Sequence, residues 1–191
     1  MPFPTFLDAC VLIPYRLADL LLRLAEANTY RPLWSDEVLD EVERNLPRVG
    51  HRTPESARKF VDTIRWVFPD ALVTGYESLT QVMTNDPKDR HVLAAAAYGG
   101  AAVIVTANID DFPVAALTPY DLSAVHPDDF LLDQFDLYPD RTVECINDQI
   151  CAYNKPTVTP EEFLDRLAKV VPDFVKEVRT PVLQARWRQR L

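Results

Sequence analysis

The chain has 191 residues, 48% of them hydrophobic and 26% charged, with a formal net charge of -9. That length and apolar content fit one globular domain, or one domain with an appendage. The acidic balance speaks against a protein that coats nucleic-acid duplexes, and it suits a site that attracts divalent cations.

Four glycines and sixteen prolines punctuate the chain, and many of the prolines stand where helices begin. Residues 3–7 read as a short buried strand that delivers Asp8. Residues 11–27 carry apolar side chains at helical spacing, and the helix is expected to begin near Tyr15. A second short strand is expected over residues 30–34. Ser35 can cap the following helix, with Asp36 and Glu37 in its first turn, and that helix runs to about Leu46. Thr53-Pro54-Glu55 starts another helix, which ends before Pro69, and residues 71–74 form a strand.

Asp86-Pro87-Lys88-Asp89 is a helix start, with Asp86 as the cap and Pro87 at the first helical position. This helix continues through Ala97 and stops at Gly99-Gly100. Residues 101–106 include Val103, Ile104 and Val105, the pattern of a central parallel strand. A last strand is expected at residues 122–125. From Pro127 the pattern is helical, with starts at Pro139 and at the capping box Thr159-Pro160-Glu161-Glu162. Strands alternating with helices imply an α/β fold with a parallel sheet covered on both faces.

Cys10, Cys145 and Cys151, like His51, His91 and His126, are widely spaced. No disulfide framework or zinc site of nitrogen and sulfur ligands is expected from them. The longest apolar candidate, residues 18–27, is interrupted by Asp19, Arg23 and Glu26, short of the ~20 residues that span a bilayer. Met1-Pro2-Phe3-Pro4 lacks the basic start and apolar core of a signal peptide. The expectation is a cytoplasmic protein without a membrane partner. Near the end of the chain, Lys176, Arg179, Arg186, Arg188 and Arg190 face only Glu177. This is a solvated helix end, or an arm for RNA or an acidic partner.

Ligands bind beyond the carboxyl ends of strands in open parallel sheets. The first strand ends at Asp8, and the later one leads through Thr106 and Asn108 to Asp110 and Asp111. Asp8 directly follows an apolar strand, which solubility explains poorly, although an aspartate there can also cap a turn. Asp89 begins the stripe Val92, Leu93 and Ala96 that should face the sheet. Helix-start chemistry alone would also place an aspartate there. On the helix after Ser35, the buried arc is Val38, Leu39, Val42 and Leu46. Glu41 flanks one edge of it and Glu43 the other, so spacing does not choose between them.

Four segments occur in order: Phe6-Leu7-Asp8-Ala9-Cys10-Val11-Leu12, Ser35-Asp36-Glu37-Val38-Leu39-Asp40-Glu41-Val42, Asp86-Pro87-Lys88-Asp89-Arg90-His91-Val92-Leu93 and Val105-Thr106-Ala107-Asn108-Ile109-Asp110-Asp111-Phe112. Together they resemble the PIN-domain ribonucleases, in the branch with the VapC-like toxins of type II toxin–antitoxin systems. The resemblance covers roughly residues 3–130. It implies a three-layer α/β/α sandwich with a central parallel sheet over residues 1–135, and a helical C-terminal extension over residues 136–191.

The same resemblance implies a metal-dependent endoribonuclease, with Asp8, Glu41, Asp89 and Asp111 as its catalytic acids. Asp8, Asp89, Asn108 and Asp111 are the implied ligands of Mg²⁺ or Mn²⁺, and Asp86 and Thr106 are supporting residues. The family's spacing after the serine selects Glu41 over Glu43. Its fourth acid usually stands where this chain has Asn108, and Asp111 then takes over as in many VapC-like members. The implied partners are an RNA substrate and a cognate antitoxin. The helical extension is left as a surface for that partner, for substrate choice or for a homodimer.

Oxygen ligands without histidine or cysteine suit Mg²⁺ or Mn²⁺. A haloacid-dehalogenase-type phosphatase would need a second aspartate where Cys10 stands. A receiver domain would need an acidic pair near Asp8, and the glycine-rich loops of nucleotide folds are missing. Asn108 keeps open one reading of another class: a PIN fold that has lost its chemistry and binds RNA or protein.

Overall fold

A computed structural model describes residues 2–49, 53–153 and 158–188 of the chain. Two compact units divide it, one comprising residues 1–15 and 30–126, the other residues 16–29 and 127–191.

The first unit is built on a five-stranded parallel sheet in the order β3-β2-β1-β4-β5. Its strands are β1 (Pro4–Leu7), β2 (Arg31–Ser35), β3 (Leu72–Val73), β4 (Val103–Val105) and β5 (Ser123–Val125). β1 lies at the centre, with Phe6 opposite Leu33 of β2 on one side and Ile104 of β4 on the other. Phe6, Leu7, Ile104 and Val105 are fully buried, as expected of apolar runs covered on both faces. Helices flank the sheet, and further helices follow towards the C-terminus, in agreement with the α/β reading.

Some helix starts follow from their caps. α1 (Ala9–Leu12) is a single turn directly after Asp8, separated by Pro14 from α2 (Tyr15–Glu26). α3 (Asp36–Val49) is entered through Ser35, whose Oγ accepts from Val38 N at 3.3 Å. It runs past the expected end at Leu46, because Pro47 falls in the last turn and removes only one donor. Thr53 caps α4 (Pro54–Val67), its side chain accepting from Ser56 N. The short α5 (Glu77–Thr80) packs on α6 (Arg90–Tyr98), which also touches β2, β3 and β4.

α6 departs from the amphipathic stripe expected of it, since residues His91 to Ala96 are all buried. A helix sandwiched between a sheet and a neighbouring helix has no solvent face. At its end a Cβ on Gly99 would lie 2.7 Å from Val73 Cγ2, and Gly100 has φ +65°, so both positions need glycine. The short α7 (Val114–Leu117) precedes β5.

The second unit holds most of α2 together with α8 (Pro127–Leu137), α9 (Pro139–Ala152), α10 (Pro160–Leu167) and α11 (Pro172–Arg188). Thr159 and Glu162 form the capping box of α10. Asp128 accepts from Asp173 N and Phe174 N at 3.0 and 2.7 Å, an anion at the positive end of α11. Gln149 Nε2 donates to the carbonyl of Arg16 at 2.9 Å, tying α9 to the first turn of α2. Among the described residues, no helix is long and apolar enough to cross a membrane.

Candidate metal centre

The carboxyl end of the central strand carries Asp8, which is 3% exposed. Its backbone N–H donates to Val105 O at 3.1 Å and so extends the β1–β4 ladder by one residue. Thr106, the residue after β4, donates its hydroxyl to Asp8 Oδ2 at 2.7 Å. Cys10 Sγ donates to the same oxygen at 3.1 Å. Burial, followed by the charge of Asp8, pushes the Cys10 thiol up to about 12, so it keeps the proton that it donates. Two donors converging on Oδ2 fix how the carboxylate stands.

A second group of acids is assembled by backbone bonds. Asp86 Oδ1 accepts from Lys88 N at 3.1 Å and caps a 3-10 turn over residues 87–89 that leads into α6. Asp86 N in turn donates to Asp111 O at 3.2 Å, and Asp111 N donates to Asn108 O at 3.1 Å. The loop after β4 is thereby pinned to the start of α6. Carboxylate oxygens of Asp86, Asp89 and Asp111 lie within 4.8 Å of one another.

Asp89 is the buried member of this group, and its Oδ2 has no hydrogen-bond partner. Burial first, then the charge of Asp8, raises its carboxyl from 3.8 to about 6, partly offset by Lys88. Asp111 has the opposite shift: the ammonium of Lys88, 2.8 Å from its Oδ2, holds it below the usual carboxylate range.

Glu41 approaches from α3. Burial raises its carboxyl, His91 opposes the rise and the charge of Asp8 adds to it. Its Oε1 lies 3.4 Å from Nε2 of the buried His91. Glu43 instead lines a groove of about 580 Å³ with Asp40, Arg44, Pro47, Arg48 and Pro54. Of the two glutamates that helical spacing left open, Glu41 is the one raised in part by the charge of Asp8.

Of the residues singled out in the sequence, Asp86, Asp89 and Asp111 share one cluster, while Asp8 and Glu41 are electrostatically linked to it or to each other. Thr106 stands behind Asp8. Asn108 is exposed and takes part through its main chain, its N–H donating to Thr106 Oγ1 at 3.0 Å. Asp86, expected as a cap and a supporting residue, caps the turn and also lies in the cluster with Asp89 and Asp111. Sequence reasoning passed over Lys88, Cys10 and His91, each within two residues of an acid already chosen.

A donor set made of carboxylate oxygens, one of them buried without a hydrogen bond from the described residues, fits a hard divalent cation. Ionised together and close-packed, these groups repel unless a cation stands among them.

A five-stranded parallel sheet flanked by helices, with Asp86, Asp89 and Asp111 clustered beside it, is PIN-like. The sequence pattern of the PIN domain family matches residues 4–110, and the chain belongs to that family. Residues 127–180 match a second family, described as the VapC50 C-terminal domain. A relative in Mycobacterium tuberculosis (strain ATCC 25618 / H37Rv), described as "Putative ribonuclease VapC50", is 49% identical over 115 residues, covering 58% of this chain and 68% of the relative. No solved structure matches the chain.

Proposed function

We propose that this chain is a divalent-metal-dependent endoribonuclease, and the toxin of a toxin–antitoxin pair acting in the cytoplasm. The observation that carries the reading is the cluster of Asp86, Asp89 and Asp111, in which the buried Oδ2 of Asp89 accepts no hydrogen bond from the described residues. The likeness to a relative described as a ribonuclease supports RNA as the substrate, and the resemblance to the VapC-like toxins supports an antitoxin as the partner.

In this reading Asp8, Asp86, Asp89 and Asp111 would hold Mg²⁺ or Mn²⁺, with Glu41 and Asn108 as further candidate ligands. When bound, such an ion would supply Lewis acidity towards a phosphate and lower the pKa of a coordinated water. Thr106 and Cys10 keep Asp8 oriented by donating to its Oδ2. Glu41, its carboxyl raised by burial, would serve in this reading as the group that takes up a proton. The second reading, a PIN fold that binds without cleaving, is favoured by the amide of Asn108 in the slot where the family usually has an acid.

The test is cleavage of a mixed RNA pool by purified protein with Mg²⁺ or Mn²⁺ against EDTA, for wild type and Asp8→Asn. Metal-dependent cleavage that disappears in the variant is expected. Absence of cleavage by folded, metal-loaded, inhibitor-free wild type would sink the nuclease reading in favour of the binding module.

A further inference from the structure

Lys88 is placed inside the acidic cluster by its own turn. Its backbone N–H donates to Asp86 Oδ1, and its neighbour in sequence is Asp89. The side chain then folds over the group, with Nζ 2.8 Å from Asp111 Oδ2 and 3.7 Å from Asp89 Oδ2. The next cation along the chain behaves differently: Arg90 Nε donates to the carbonyl of Asn85 at 3.4 Å.

An ammonium and a divalent cation compete for the same lone pairs. Magnesium draws its oxygens in to roughly 2.1 Å and tolerates little distortion of its shell. Asp111 Oδ2 is hindered from serving such an ion while it accepts from Lys88 Nζ, and two cations sharing a carboxylate repel each other. The Lys88 side chain is 63% exposed, so nothing traps it over the cluster once a stronger cation enters.

We infer that Lys88 is a resident counter-cation of this site. It neutralises the Asp89–Asp111 edge in the metal-free chain and is expelled when the divalent ion binds. The affinity for the ion is therefore set by competition with the chain's own ammonium. This rests on the reading above, that these carboxylates hold a divalent ion.

The experiment is a Mn²⁺ titration of the full chain at neutral pH and low ionic strength, with free Mn²⁺ followed by electron paramagnetic resonance. Wild type, Lys88→Met and Lys88→Arg are compared. Lys88→Met is expected to bind about fivefold more tightly, the equilibrium equivalent of losing a competing exposed ion pair at the upper end of its usual strength. Lys88→Arg keeps the charge and is expected within about twofold of wild type. In EDTA, Lys88→Met should melt below wild type, and saturating Mn²⁺ should close that gap. Equal or weaker Mn²⁺ binding by a folded Lys88→Met would overturn the inference. So would equal tightening in both variants, because the charge would then not be responsible. If wild type and both variants all fail to bind Mn²⁺, the metal reading itself falls and the inference with it.

Discussion

Replacing Asp89 by asparagine should stabilise the metal-free protein at neutral pH, although it removes a buried acid. The Asp89 carboxyl is raised from 3.8 to about 6, first by burial and then by the charge of Asp8. For an isolated group that difference corresponds to about 3 kcal/mol against the ionised form in the folded chain. Solvent at the rim of the cluster, where Lys88 lies, screens part of it, so about 2 kcal/mol is expected. The sign follows from proton linkage. Between about pH 4 and about pH 6 the folded chain holds a proton that the unfolded chain has released, so wild-type stability falls as pH rises through that window. Asparagine imitates the neutral acid, and its amide can donate to Asp111. Urea denaturation in EDTA, followed by tryptophan fluorescence, should therefore show the two proteins nearly equal near pH 4 and the variant ahead near pH 7. With Mn²⁺ at a hundred times its dissociation constant the order should reverse, since wild type alone gains about 2.7 kcal/mol from the ion. A variant less stable than wild type in EDTA near neutrality, or a difference that ignores pH, would refute the crowding argument.

Other substitutions probe the supports of the cluster. Thr106→Val removes the donor to Asp8 Oδ2 and the acceptor of Asn108 N. It should cost about 1–3 kcal/mol in urea denaturation and weaken Mn²⁺ binding about 10- to 100-fold, while Thr106→Ser restores most of both. Glu41→Gln should lower RNA cleavage by about 100-fold or more, and Glu43→Gln by much less. A larger loss from Glu43→Gln would show that the wrong face of α3 had been assigned to the site.

Much of the fold could be read from local chemistry. The apolar runs before Asp8 and Thr106 are strands because they are buried on both faces. Thr53-Pro54, Asp86-Pro87 and Thr159-Pro160 start helices because a side-chain acceptor precedes a residue without an N–H. Elements of one turn resisted such reading. α1, α5 and α7 hold four residues each, too few to display a period of 3.6. α6 was assigned a stripe when its whole circumference is buried, because its alanines carry no contrast between faces. The grouping of residues 16–29 with residues 127–191 has no local signature, since contacts between segments so distant in sequence leave no pattern in either one.

The candidate site was legible in proportion to how far each residue's position departs from what solubility or capping would explain. Asp8, directly after a buried strand, stands out. Asp86 and Asp89 do not, because a helix start and a cation site ask for the same chemistry: oxygen acceptors and negative charge near the first free N–H groups. The two demands are separated only in three dimensions. Asp86 Oδ1 is used by Lys88 N and is therefore a true cap. Asp89 caps α6 with no side-chain bond, and its buried Oδ2 accepts no hydrogen bond from the described residues. Capping leaves that oxygen unexplained, whereas a cation explains both the oxygen and the approach of Asp111, which comes from the far end of β4 to meet it. Lys88 then ceases to be a surface charge beside a helix. It is the cation that the cluster finds within its own turn.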